Sequence, residues 1–87
     1  MAPMSVAGVV PEWTLPDRLR KAREHASLSQ AELGALTGIS RRSIVSYEGG
    51  TRPPRLPQLV VWAMATGVSL SWLAGDETSP DGHATDV

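Results

Sequence analysis

Eighty-seven residues bound the protein to one small domain with a modest core, and the lack of any cysteine excludes disulfides and cysteine-held zinc as reinforcement. The longest apolar run, LVVWAMA at 59–65, falls far short of the roughly 18 residues a membrane helix needs. MAPMSVAGVV lacks the basic stretch that opens a secretory leader, so a soluble cytoplasmic chain is the expectation. The formal net charge of −1 hides an asymmetry: eight bases meet three acids between Arg18 and Arg55, a balance of +5, while six acids outside that segment leave −6. A basic middle between acidic ends suits a polyanion-binding surface.

Taken in chain order, residues 1–13 carry Pro3, Gly8 and Pro11 and read as a flexible N-terminal arm. A first helix is expected from about Pro16 to Ala26. Thr14 can cap it, Pro16 suits the first turn, and Asp17 lies at the positive end of the helix dipole. Leu15, Leu19 and Ala22 recur at helical spacing and should face inward, with Trp13 folded over this helix as a plug. A second helix starts at Ser29, where S-Q-A-E predicts a capping box between Ser29 and Glu32, and ends at Gly38. A third begins after Ser40 and stops at Gly49-Gly50.

Pro53 and Pro54 form an extended connector to a fourth, apolar helix over roughly Leu56 to Thr66, ended by Gly67. With Leu56, Leu59, Val60 and Ala63 inward, Val61 and Trp62 fall toward its flank; Trp62 is then either an interface anchor or part of the core. A short fifth helix, about Leu70 to Ala74, is capped by Ser69 and ended by Gly75, with Trp72 and Leu73 expected in the core. Residues 76–87, DETSPDGHATDV, are polar and acidic and read as a disordered tail. The domain proper is therefore 14–75.

The informative stretch joins the second helix to the third. Gly34 leaves room for a close helix crossing, Gly38 makes the turn, Ile39 plugs it, and Ile44 and Tyr47 point to the core. On a helical wheel that orientation turns Arg42, Val45, Ser46 and Gly49 outward, with Arg41 at the flank. Two adjacent arginines there would place positive charge on the exposed side, which suits a polyanion. The N-terminus of a helix, with Ser40 beside it, also attracts phosphate.

LRKAREHASLSQAELGALTGISRRSIVSYEGGTRPP resembles the helix-turn-helix domain of the Cro and phage-repressor family, and LPQLVVWAMATGVSLSWLAG is similar to that family's closing helices. The resemblance covers about Leu15 to Gly75. It implies an all-α, compact five-helix domain of lambda-repressor type. It also implies that Gln30 touches a phosphate and braces the recognition helix, and that Ser40, Arg41, Arg42 and Ser46 meet phosphates or base edges. Arg52 and Arg55 match a basic loop along the DNA backbone, and Arg23 and Glu48 match a structural pair. Gly49 stands where asparagine is frequent, leaving a backbone N–H to reach a phosphate. With Ser43 and Val45, these residues complete the candidate DNA surface.

His25 and His83 are too distant in sequence to suggest a metal site, and no catalytic constellation, cofactor motif or phosphate loop is present, so neither enzyme nor cofactor is expected. The reading is a sequence-specific transcriptional repressor in a bacterial or phage-infected cell, bound to double-stranded operator DNA as a homodimer. Trp62, Leu70 and Leu73 are the candidate dimer contacts, with the apolar arm as second choice. Two alternatives stay open: an antitoxin or adaptor that meets a regulatory protein partner through Val6, Val9, Val10 and Trp13, or a DNA-binding accessory factor in recombination.

Overall fold

Polar side chains start most of the helices. In the computed structural model, which describes residues 13–75, the order is α1 (Leu15–His25), α2 (Gln30–Thr37), α3 (Arg41–Gly49), α4 (Leu56–Thr66) and α5 (Leu70–Leu73). No strand occurs among the described residues, and no helix among them is long and apolar enough to cross a membrane. The expected arm before Trp13 and the acidic tail at 76–87 lie outside the described residues.

At the start of α1, the Asp17 backbone N–H donates to Thr14 Oγ1 at 3.4 Å. The Asp17 carboxylate accepts in return from the Thr14 N–H and hydroxyl. Ser29 and Glu32 form the expected reciprocal box on α2, at 3.0 and 2.8 Å. Ser40 accepts from the Ser43 N–H and Ser69 from the Trp72 N–H. These contacts satisfy N–H groups that a helix start leaves orphaned. α4 differs: Arg55 supplies no such acceptor, and the Gln58 side chain instead accepts from the Arg55 N–H.

The turn between α2 and α3 depends on two glycines for different reasons. Gly38 has φ +79, a left-handed conformation that glycine adopts without steric cost. At Gly34 the constraint is space. A Cβ there would lie 2.8 Å from the Ile39 carbonyl oxygen and 3.5 Å from Ile44 Cδ1. The close neighbour is thus the backbone of the turn itself, with α3 just behind it.

Leu19, Leu33, Ile44, Trp62 and Leu73 are fully buried, and Ala22, Tyr47, Ala63 and Trp72 close the core around them. Two of the candidate dimer contacts are corrected here. Trp62 is enclosed at the centre of the domain, where its Nε1 donates to the Leu19 carbonyl at 3.1 Å and its ring meets Tyr47 at 6.4 Å. Leu73 is enclosed as well, so neither offers surface to another chain. Leu70, at 37% exposure, remains accessible.

The error at Trp62 has a physical source. α4 is apolar nearly all round, so its hydrophobic pattern does not orient it. Its buried side carries Trp62, Ala63 and Thr66, while Leu56, expected inward, is 63% exposed. Thr66 tolerates burial because its hydroxyl donates to the Trp62 carbonyl one turn back, at 2.8 Å.

The start of the described chain is fastened to its end. Trp13 packs edge-on against Trp72 of α5, with ring centroids 6.0 Å apart, so the plug sits over α5 as well as α1. Arg18 donates to the Trp72 carbonyl at 2.9 Å and to the Trp13 carbonyl at 3.3 Å, with its guanidinium over the Trp72 ring. Such a cation–π contact contributes about 0.5–1 kcal/mol at a partly exposed site.

Candidate nucleic-acid interface

α3 is held from behind before it presents anything in front. Ile44 and Tyr47 seat it in the core, and Glu48, although charged, is buried beside them. Arg23 of α1 grips that carboxylate with two hydrogen bonds, Nε to Oε2 at 2.6 Å and Nη2 to Oε1 at 2.9 Å. Its third nitrogen, Nη1, donates to the Leu28 carbonyl. From the first turn of α2, Gln30 Nε2 also donates to Glu48 Oε1, at 3.3 Å. One carboxylate therefore ties α1 and α2 to the last turn of α3. The hydrogen bonds to Glu48 hold the Arg23 guanidinium above its ordinary pKa, against an opposing effect of burial.

The outer side of α3 is polar and basic. Arg41 and Arg42 are exposed in its first turn, and neither has an ion-pair or hydrogen-bond partner among the described residues. Val45 and Gly49 continue the exposed side, and Ser46 is half-buried at its margin. Ser40 Oγ donates to Ser43 Oγ at 3.0 Å, so the two hydroxyls form a small polar lip at the helix N-terminus.

Arg52 stands apart from the other candidate cations because it is already occupied. Its Nη2 donates to Ser43 Oγ at 2.6 Å and to the Tyr47 hydroxyl at 3.3 Å, and its guanidinium lies over the Tyr47 ring. The connector after α3 is thereby folded back along that helix. Arg55, exposed at the start of α4, has no side-chain partner among the described residues.

Two shallow clefts link these parts. One is lined by Ser40, Ser43 and Tyr47 of the turn and α3 together with Pro57, Gln58 and Val61 of α4. The other runs past Tyr47, Arg52, Pro53, Pro54, Arg55 and Gln58. Tyr47 and Gln58 line both, so the surface continues from the α3 N-terminus into the connector. Sequence reasoning assigned Tyr47 to the core and gave Gln58 no role. The Tyr47 hydroxyl orients Arg52, and Gln58 holds the start of α4. The lone amide of Gln58 in an otherwise apolar helix was the signal available for it.

The described residues carry eight bases against four acids, a net +4. Among them, no group of three or more His, Cys, Asp or Glu residues is placed to hold a metal ion. The chemistry on display is that of a rigidly braced helix with cations and hydroxyls at its N-terminal end.

A helix-turn-helix family model, HTH_3, matches residues 19–73, from the first buried leucine of α1 to the last of α5. The chain is 33% identical over 64 residues to the uncharacterized HTH-type transcriptional regulator YobD of Bacillus subtilis, covering 74% of this chain and 57% of that one. It is 50% identical over 34 residues to a protein of Methanospirillum hungatei named as an HTH-type transcriptional regulatory protein, covering 39% of this chain and 11% of that one. The chain thus spans just over half of one relative and about a tenth of the other. With α2 and α3 as its helix-turn-helix, the chain belongs to the Cro/C1-type helix-turn-helix family of DNA-binding transcriptional regulators.

Proposed function

We propose that the protein is a sequence-specific repressor that occupies a two-fold symmetric operator as a homodimer, with α3 in the major groove. The observation that carries this reading is the pair Arg41–Arg42: adjacent, exposed and without a partner among the described residues, on a helix fixed from behind by Glu48, Arg23 and Gln30. A guanidinium without an internal partner keeps its donor fork for a ligand, and a braced helix presents it without further ordering of the backbone. The names of both relatives support the regulatory assignment.

In this reading Arg42 reads guanine, and Arg41 takes a base edge or a phosphate. Ser40, Ser43, Ser46 and the Gly49 N–H meet the backbone, Val45 packs in the groove, and Gln30 adds a phosphate contact to its bracing role. Arg55 binds phosphate directly. Arg52 does so through Nη1 and Nε, since both contacts of its side chain to Ser43 and Tyr47 use Nη2. One recognition helix covers few base pairs, so selectivity requires two copies on half-sites roughly 34 Å apart. Repression follows by occupying DNA that polymerase needs, in the cytoplasm of a bacterial or phage-infected cell, with no catalytic step.

The test is selection from a random duplex pool with the full chain, followed by footprinting. The expected result is an enriched inverted repeat, protected over both halves. Equal retention of all sequences, or protection of one asymmetric half-site by one chain, would overturn the proposal.

A further inference from the structure

α1 and the turn between α4 and α5 leave an open cavity of about 260 Å³ between them. Its walls are mainly apolar. Trp13 and Trp72 supply two indoles, and Ala22, Gly67 and Val68 continue the lining. Arg18 holds both tryptophans in place, donating to the carbonyl of each and lying over the Trp72 ring. The cavity shares no lining residue with the two clefts beside α3, so the DNA surface does not account for it.

The basic groups at the cavity are Lys21 and His25, one turn apart on α1, and no acid is among its lining residues. The carboxylates of α1 are engaged with another cation: Asp17 accepts from Arg20 at 3.4 Å, and Glu24 lies 3.9 Å from the same guanidinium. Lys21 and His25 have no ion-pair or hydrogen-bond partner for their side chains among the described residues.

We infer that this cavity binds a small aromatic monocarboxylate, with its ring against the indoles of Trp13 and Trp72 and its carboxylate at Lys21 and His25. Each part of that class follows from the walls. Pockets for drug-sized ligands begin at roughly 300 Å³, so this one takes little more than a single ring and leaves out nucleotides. Two indoles favour an aromatic occupant, through edge-to-face or offset contact. An ammonium and an imidazole N–H favour an anion, with no lining acid to oppose it. At i and i+4 on a helix their Cβ atoms lie about 5–6 Å apart, within the span of one carboxylate.

The indole N–H signals of the full chain provide the test, because the protein has three tryptophans and only Trp62 lies away from the cavity, enclosed in the core. Phenylacetate should shift the Trp13 and Trp72 signals saturably, with a Kd of about 1 mM as befits so small a ligand, and leave Trp62 unmoved. Phenylacetamide has the same shape without the charge and should bind about fivefold more weakly, the upper end for an ion pair open to water. Lys21→Gln, at an exposed position, should lower phenylacetate affinity to that of the amide, with the amide's own affinity and the thermal melt unchanged. No saturable shift up to about 10 mM, equal affinity for acid and amide, or equal shifts of all three tryptophans overturns the proposal. So does loss of both ligands in Lys21→Gln. Two further outcomes also overturn it by naming another occupant. Shifts of Trp13 and Trp72 in ligand-free Val9→Glu or Val10→Glu protein would assign the cavity to residues 1–12, and shifts with protein concentration alone would assign it to a second copy.

Discussion

Replacing Glu48 by alanine removes both acceptor oxygens from Arg23 and one from Gln30, and leaves a guanidinium with its side chain only 15% exposed. Removing one partner of a buried ion pair costs about 3–5 kcal/mol, because the surviving charge stays desolvated. Two features reduce that here. Arg23 keeps its hydrogen bond to the Leu28 carbonyl, and the side chain retains some access to water, so about 2–3 kcal/mol is the expectation. For a domain of this size, each kcal/mol moves Tm by about 4–8 °C, giving a fall of roughly 10–20 °C.

The assay pairs calorimetry with DNA binding at a temperature where the variant is folded. Tm should fall by that amount while operator affinity changes little, since Glu48 is buried and off the outer side of α3. Glu48→Gln, which keeps one oxygen, should lose less. The double variant Arg23→Met, Glu48→Leu should recover much of the loss, because an apolar pair of similar volume avoids the desolvation cost. A Tm within about 2 °C of the parent would refute the assignment. So would affinity lost with stability intact, which would place Glu48 in recognition.

Arg42→Ala should cost about 1–3 kcal/mol on the selected operator and relax preference at one base pair per half-site, with a smaller effect on scrambled duplex; equal loss on both would make Arg42 a phosphate clamp. Arg55→Ala should weaken all sequences alike and reduce the salt slope by about one unit per half-site, measured by titration at several salt concentrations. Gly34→Ala should lower Tm despite a helix-propensity gain of about 1 kcal/mol, because its Cβ would meet the Ile39 carbonyl at 2.8 Å; a higher Tm would refute that account. The Asp17 carboxyl is held below its ordinary value of 3.8, first by the Thr14 hydroxyl and then by the Thr14 backbone N–H. A depressed folded-state pKa means stability present above that ordinary value and lost as pH falls through the lower, folded one. The Thr14 amide signal should therefore shift in strong acid in step with fraying of α1, and Asp17→Ala should abolish that step.

The helix starts were legible because each rests on local chemistry. Thr14 with Asp17, and Ser29 with Glu32, are reciprocal pairs three residues apart, and no distant contact is needed to identify them. α3 could be oriented from sequence because Ile44 and Tyr47, three residues apart, share one side, while Val45 is the lone apolar side chain among the arginines and serines of the other. α4 offered no such contrast. LPQLVVWAMAT is apolar on every side, so its rotation is decided by shape: the Trp62 indole fills the centre and finds the Leu19 carbonyl. The state of Arg52 was equally hidden. Its basic character is plain in the sequence, but its attachment to Ser43 and Tyr47 depends on how the Pro53–Pro54 connector folds back.

That attachment bears on how recognition is built. Arg41 and Arg42 project without partners among the described residues, so their cost of immobilisation falls due on binding, at about 0.5–1.5 kcal/mol for each ordered side chain. Arg52 has met much of that cost in the free protein, stacked over Tyr47 and hydrogen-bonded to Ser43. A preordered cation suits a contact that every duplex offers, which is the phosphate backbone. Free cations suit contacts that must be made only when the correct base edge is present. The division follows from the interior: Tyr47, seated in the core, carries the hydroxyl that holds Arg52. Glu48, one residue on, fixes the helix from which Arg41 and Arg42 reach outward.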